Sequence, residues 1–254
     1  MESKDVLLAK IDDIVRRVDG YGCLSTRFLT PKEVRDVSAY LSYTYPDVKY
    51  RVCGGYPDAE RCMIVFTADY MSDTDVNDLD VYKVIRIKGS GYADNSHKDY
   101  LGALLGLGIS RDTLGDIIVQ DKDAYVFVLH DVADFLTSNE APLTYVGRDK
   151  VKIFIESNDV CVNYRRSFAA SDYWCTSLRL DCVVSAVCKI SRAKAVNAIA
   201  AEEVFLNYDC VTQNDVKVND SDVLSVRRYG KFVINLRGVT SSKGKFGICA
   251  KKYI

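Results

Sequence analysis

Apolar positions near the start of the chain recur at helical spacing. Leu7, Ile11, Ile14 and Val18 share one face, which predicts a helix over about Lys4–Val18 ended by Asp19-Gly20. A short strand is expected near Cys23–Phe28. Thr30-Pro31-Lys32-Glu33 reads as a capping box with proline at the first helical position, and Val34, Val37 and Leu41 carry that helix inward until Pro46 stops it. Strands around Val48–Val52 and Cys62–Phe66 flank Gly54-Gly55-Tyr56-Pro57-Asp58, read as an ordinary turn. The acidic stretch Asp69–Asp80 reads as a linker.

From Val81 the pattern changes period several times. Val81–Ile87 alternates as a strand, and Ser96-His97 opens a helix through Leu107 with Leu101, Leu104 and Leu105 inward and Gly108 at its end. Asp116–Gln120 and Ala124–Leu129 are strands about the tight turn Asp121-Lys122-Asp123. Asp131 caps a helix with Val132, Phe135 and Leu136 inward, and Val151–Ile155 is a final strand. The order is βαββαβ, that of ferredoxin-like and RRM folds. Tyr125 and Phe127 stand two apart on one face of the third strand, where an RRM stacks bases. The RRM's glycine and basic submotif is mostly absent, and core packing is the preferred reading of both rings. Gly102, Gly106 and Gly108 are costly near a helix, about 0.8–1 kcal/mol each in its interior, which points to close backbone approach. No Lys-Ser/Thr follows as a P-loop requires, so tight packing of helix on sheet is the plainer explanation.

In the last third, Leu180, Val183, Val184 and Val187 mark one helix, and Ser191 caps a second with Ala195, Val196 and Ile199 inward. Small strands follow. Lys231–Val239 and Lys245–Ile254 alternate as a hairpin around Ser241-Ser242-Lys243-Gly244. Arg192 and Lys194 in the first turn of the second helix oppose its macrodipole, at a cost of roughly 0.3–1 kcal/mol that an anion at the free N–H groups would reverse. Two readings stand together here: charges on a solvated face, or phosphate contacts. Lys243, Lys245, Lys251 and Lys252 of the tail admit a similar pair, edge lysines that deter aggregation or auxiliary phosphate contacts.

Charge sharpens the picture. The chain of 254 residues carries 34 Lys and Arg against 35 Asp and Glu, and the near-neutral total hides an asymmetry. From Ser177 onward there are 13 basic and 7 acidic residues, and before it 21 and 28, a basic module on an acidic body as expected of a nucleic-acid binder. The nine cysteines form no C-x-x-C pair, which argues against a zinc knuckle or redox motif, and Cys182 and Cys188 read as small buried hydrophobes. No apolar run approaches a membrane span of ~20 residues and no signal peptide is read, so a cytoplasmic protein with reduced thiols is expected.

Arg179-Leu180-Asp181, Ser191-Arg192, Ala195, Ile199, Val204, Asn207 and the Asp222…Ser225-Val226-Arg227 end resemble, in order, the S4 RNA-binding domain. This is the αL-type module of ribosomal protein S4, pseudouridine synthases and heat-shock ribosome factors. Glu202 stands where that family usually has glycine, and Ala200 where a basic residue is common. His97–Ile109, Arg111, Leu114-Gly115-Asp116-Ile117 and Gly54-Gly55-Tyr56…Ala59-Glu60-Arg61 resemble the YlmH family, bacterial S4-domain proteins encoded near cell-division genes. The resemblance implies an α+β, multi-domain chain: an α/β domain with acidic linker at 1–80, an RRM-like (ferredoxin-like) domain at 81–160, and an S4 domain with a basic hairpin at 175–254.

It further implies a monomeric, ribosome-associated factor that binds rRNA or tRNA on the large subunit, as relatives with this module do in quality control of stalled, split subunits. Arg179, Arg192, Lys194, Arg227, Arg228 and Lys231 would contact phosphates, Ser191 would cap the helix facing the RNA, and Asn207 would offer amide hydrogen bonds. Arg192→Glu with Lys194→Glu is then expected to abolish ribosome association without unfolding. No cofactor, metal or catalytic residue is expected.

Two other classes stay open. Arg179-Leu180-Asp181 matches the Arg-Leu-Asp tripeptide of pseudouridine synthases, but here it opens the S4 module, which in those enzymes precedes a larger catalytic domain. Asp181 is therefore read as structural. With only His97 and His130, no Cys–His or Ser–His–Asp arrangement suggests itself. A protein adaptor is the third class: the acidic amino-terminal part would take a protein partner, though no heptad or exposed apolar stripe marks a surface for one.

Overall fold

The computed structural model describes residues 4–72, 80–138, 142–240 and 244–253. The chain divides into two compact units, Met1–Arg165 and Arg166–Ile254. Both combine helices with antiparallel sheets, so the fold class is α+β.

The first unit opens with α1 (Lys4–Tyr21), β1 (Cys23–Ser25), α2 (Pro31–Thr44), β2 (Tyr50–Cys53) and β3 (Met63–Thr67), the strands ordered β1-β3-β2. Leu7, Ile11 and Val18 of α1 and Val37 and Leu41 of α2 pack on Ile64 and Phe66 of β3. Helix α1 passes Gly20, because the left-handed residue that ends it is Gly22, at φ 78°, whose N–H donates to the Val18 carbonyl at 2.8 Å. Helix α2 begins on the expected capping box: Thr30 Oγ1 accepts from the Glu33 N–H, and Glu33 Oε2 accepts from the Thr30 N–H at 2.7 Å. Most of the acidic linker, 73–79, lies outside the described residues.

The unit continues with β4 (Lys83–Gly89), α3 (His97–Gly106), β5 (Leu114–Gln120), β6 (Asp123–Val128), α4 (His130–Leu136), β7 (Tyr145–Val146) and β8 (Asp149–Glu156). The sheet is antiparallel in the order β5-β6-β4-β8-β7. Ile85, Ile87, Val126 and Val128 of one face meet Tyr100 and Leu104 of α3 and Val132, Ala133 and Leu136 of α4. Leu105 and Phe135, expected inward, are instead 39% and 43% exposed. Asp131 is inside α4, not its cap. The helix starts from Leu129, and that phase gives the inner position to Ala133. Gly102 and Gly106 contradict the expected tight packing: a Cβ at either would meet nothing within 4 Å.

The opposite face of this sheet is covered at one end by the amino-terminal part of the same unit. Phe127 is fully buried, stacked on Tyr56 at 5.7 Å between ring centroids and edge-on to Tyr82 at 5.6 Å. It is core, as preferred from the sequence, and is closed off from any base, whereas Tyr125 is half-buried with Arg86 over its ring at 6.0 Å. The Gly54–Asp58 turn is therefore more than an ordinary turn. A Cβ on Gly55, at φ 87°, would lie 2.1 Å from the Phe127 ring, and one on Gly54 would lie 2.3 Å from Ala59. Asp116, buried at the base of β5, locks the contact by accepting from Tyr56 Oη at 2.7 Å and from the N–H groups of Glu60 and Arg61 at 2.7 and 3.2 Å. The two stretches that carry the YlmH resemblance thus meet across Asp116 and Phe127.

The second unit comprises β9 (Phe168–Cys175), α5 (Leu180–Val187), α6 (Arg192–Ala200), β10 (Val204–Leu206), β11 (Asp209–Cys210), β12 (Asp222–Val226), β13 (Gly230–Thr240) and β14 (Phe246–Tyr253). The sheet order is β11-β10-β12-β13-β14-β9. Leu180, Val183, Val184 and Val187 of α5 and Ala195 and Ile199 of α6 pack on Val204, Leu224, Phe232, Ile234 and Ile248. The expected hairpin is β13–β14, with its turn at 241–243, Lys243 included, outside the described residues. Strand β9, which the hydrophobic pattern did not reveal, pairs along the whole of β14, from Phe168 opposite Tyr253 to Cys175 opposite Phe246. Cys182 and Cys188 are buried, and burial pushes the Cys188 thiol up to about 11. No described helix is long and apolar enough to cross a membrane.

Candidate nucleic-acid interface

The starts of α5 and α6 meet over one carboxylate. Arg179 is the N-cap of α5, Asp181 lies in its first turn, and Arg192 is the first residue of α6. Asp181 is 2% exposed and receives Arg179 Nε at 3.3 Å and Arg192 Nη2 at 2.8 Å. Burial pushes its carboxyl up, but the hydrogen bonds from Arg179 and Arg192 outweigh that and hold it below the ordinary Asp value of 3.8. Asp181 thus ties the two helix starts together. Ser191 caps α6 as expected, its Oγ accepting from the Lys194 N–H at 3.3 Å, and Lys194 projects from the same turn, exposed.

A loop clamps this corner. Leu180 N–H donates to Val216 O at 2.8 Å, Asp181 N–H to Asn214 O at 3.1 Å, and Arg179 bridges Lys217 across an isolated antiparallel pair. Lys217 is exposed and adds a cation beside Arg179 that no motif had marked, with Asp215 exposed in the same loop. Its only sequence signal is a lone basic residue in an otherwise polar loop.

The remaining candidate residues are dispersed. Asn207, at φ 50°, donates from Nδ2 to Asp222 Oδ1 at 2.8 Å and accepts from the Val223 N–H at 2.9 Å. Its amide helps to hold the β10–β11 turn against β12. Arg227 and Arg228 are exposed in the β12–β13 turn, where the Arg227 N–H donates to Glu203 O at 2.9 Å and Arg228 sits at φ 71°. Phe232 enters the core beneath the helices, so Lys231 beside it lies on the far face of the sheet. There its ammonium lies 4.4 and 4.9 Å from the Tyr208 and Tyr253 ring centroids and donates to Tyr208 Oη at 3.1 Å. Arg179, Ser191, Arg192 and Lys194 are therefore brought together, Arg227 and Arg228 form a separate turn, and Lys231 belongs to another face.

Glu202, where the S4 resemblance expects glycine, stands just past the end of α6. It follows the C-cap Ala201 and adopts φ 56°, the left-handed conformation that closes a helix and that glycine occupies without a Cβ penalty. Among the described residues no cluster of three or more His, Cys, Asp or Glu is arranged to hold a metal ion.

Residues 2–71 match the family model described as YlmH, N-terminal, and residues 78–159 the one described as a putative RNA-binding domain in YlmH. The chain is 30% identical over 212 residues to ribosome-associated protein quality control protein P2 of Bacillus subtilis (strain 168), covering 81% of this chain and 78% of that protein. Among solved structures, cell division protein ylmH from Streptococcus pneumoniae shares the fold at a TM-score of 0.51 and 19% identity, covering 64% of this chain and 98% of that one. The chain belongs to the YlmH family.

Proposed function

We propose that this chain is a cytoplasmic, non-catalytic RNA-binding factor that acts on the large ribosomal subunit, gripping rRNA or tRNA through an S4-type carboxy-terminal domain. The observation that carries the reading is the corner at α5 and α6. Asp181 fixes Arg179 and Arg192, and Lys194 and Lys217 stand around them on a rigid base, an excess of cations over one buried carboxylate. Such a surface contacts phosphates and reads RNA by shape. The Bacillus relative is named for ribosome-associated quality control, which places stalled translation first among the settings to test. The same geometry argues against the pseudouridine synthase reading, because a carboxylate buried between two guanidinium groups is not aimed at a substrate.

The middle segment supports an RRM-like reading: its first strand, β4, lies between the third, β6, and the fourth, β8, with the second, β5, outside the third. On this reading the domains are 1–80, 81–160 and 175–254, with β9 added to the last. The test is sucrose-gradient sedimentation of lysate with Lys194→Glu combined with Arg228→Glu. Arg192 is spared because a glutamate there would face Asp181 and destabilise the unit, which removes the premise of the Arg192→Glu test. The wild type is expected with free large subunits at low salt and at the top of the gradient at raised salt. Folded double variant that still travelled with large subunits would overturn the placement.

A further inference from the structure

We infer that the cavity between α1 and the β1–α2 connection is a binding site for a phosphomonoester carried on a compact, partly apolar group, the chemistry of a mononucleotide. Two arginines from the family signature carry the inference. Arg61 Nε donates to Leu114 O at 3.0 Å, and its Nη2 to Phe28 O at 2.7 Å and Arg111 O at 3.3 Å. Arg111 Nη1 donates to Leu114 O at 2.6 Å and Gly115 O at 3.1 Å. Every one of these acceptors is a main-chain carbonyl, and Leu114 O serves both guanidinium groups. Both side chains are half-buried, yet neither forms an ion pair among the described residues. Burial lowers both pKa values, and the charge of Arg61 helps bring Arg111 down to about 10. The carboxylate within electrostatic reach of both, Asp116, already accepts the three hydrogen bonds from Tyr56, Glu60 and Arg61.

The two half-buried like charges repel; Glu33, Asp116 and Asp112 act on Arg61, whereas Asp116 is the carboxylate that acts on Arg111, so an incoming anion would complete the neutralisation of the pair. Both groups line a cavity of about 830 Å³, within the usual range of ligand sites. Its polar end adds Ser110 and Thr30, and its wall is aliphatic, with Leu7 and Ile14 of α1. A phosphomonoester carries about −1.5 to −2 at neutral pH and neutralises both guanidinium groups, whereas a carboxylate leaves one charge over. The aliphatic wall and the volume exceed what inorganic phosphate alone would use. Glu33 and Asp112, which also line the cavity and act on Arg61, are engaged by Thr30 and by Arg27 and Ser110 respectively, but they remain negative and would disfavour a triphosphate.

The experiment is thermal unfolding of the full chain at constant ionic strength with AMP, ATP, inorganic phosphate, or a short oligoribonucleotide bearing a 5′-phosphate or a 5′-hydroxyl. AMP is expected to raise the midpoint more than ATP or inorganic phosphate. Arg111→Gln should weaken AMP at least tenfold, and Ile14→Trp, which fills the aliphatic wall while keeping both arginines, should weaken AMP more than phosphate. If the 5′-phosphorylated RNA acts where AMP and the 5′-hydroxyl RNA do not, the source is the end of an RNA strand and the chemistry stands. No rise beyond a chloride control would overturn the inference, as would a rise that both variants leave intact. Should Arg111→Gln fail to fold, Ile14→Trp alone decides.

Discussion

Each unit of this chain brings two arginines together, and the pairs end differently. Arg179 and Arg192 close on the buried Asp181, while the guanidinium groups of Arg61 and Arg111 close on main-chain carbonyls and form no ion pair among the described residues. The first pair is neutralised in part from within and serves to set the angle of two helix starts. The second is countered by carboxylates that its guanidinium groups do not touch, Glu33, Asp116 and Asp112 for Arg61 and Asp116 for Arg111. Basic residues in such a protein therefore sort by what they already hold. Those tied to a buried carboxylate hold the local structure, and those such as Lys194, Arg227 and Arg228, exposed and without an ion pair among the described residues, are the ones the proposed function assigns to phosphates.

The largest effect expected concerns packing beside the second pair. Gly55→Ala should cost about 3 kcal/mol in denaturant unfolding of the first unit, from overlap with Phe127 and the left-handed backbone together. Next, Asp181→Ala should cost about 2 kcal/mol, below the full penalty of a broken buried pair because both arginines keep access to water. That contribution has a pH signature. The folded-state pKa is depressed, so the stabilisation is complete above the unfolded value near 3.8 and is lost as pH falls through the lower folded value. Asp181→Asn should flatten the acid limb of the stability profile, and an unchanged limb would erase the contrast between the pairs. Arg111→Gln should cost only about 1 kcal/mol, because relief of repulsion from Arg61 offsets part of the lost bonding to Leu114 and Gly115. The smallest effect is a gain: Glu202→Gly should stabilise by about 0.5 kcal/mol by removing a Cβ from a left-handed position.

Hydrophobic period made most helices legible, since Leu7, Ile11 and Val18 or Leu180, Val183, Val184 and Val187 mark faces that local spacing alone defines. Strand β9 was not legible: its residues are largely exposed and do not alternate, and its place depends on pairing with β14 at the far end of the unit. Of the positions expected inward on α3 and α4, Leu104, Val132 and Leu136 are buried, whereas Leu105 and Phe135 are exposed and Tyr100 and Ala133 take inner places that the apolar spacing did not single out. Three glycines at 102, 106 and 108 suggested close packing, but Gly102 and Gly106 face open space. At the candidate interface, motif order singled out Arg179, Ser191 and Arg192, and the first turn of the helix added Lys194, all of which the structure brings together. Motif order could not tell that Asn207 bonds to Asp222 and Val223, or that Lys231 lies across the sheet, because both facts are tertiary.

The most direct measurement is the salt dependence of binding to purified large ribosomal subunits, compared between wild type, Lys194→Ala and Asn207→Ala. If Lys194 neutralises a phosphate, its loss should reduce the slope of log K against log salt by about 0.7–0.9, while Asn207→Ala should leave the slope unchanged whatever it does to affinity. An unaltered slope in Lys194→Ala, with binding otherwise intact, would contradict the assignment of the α5–α6 corner as the phosphate-contacting surface.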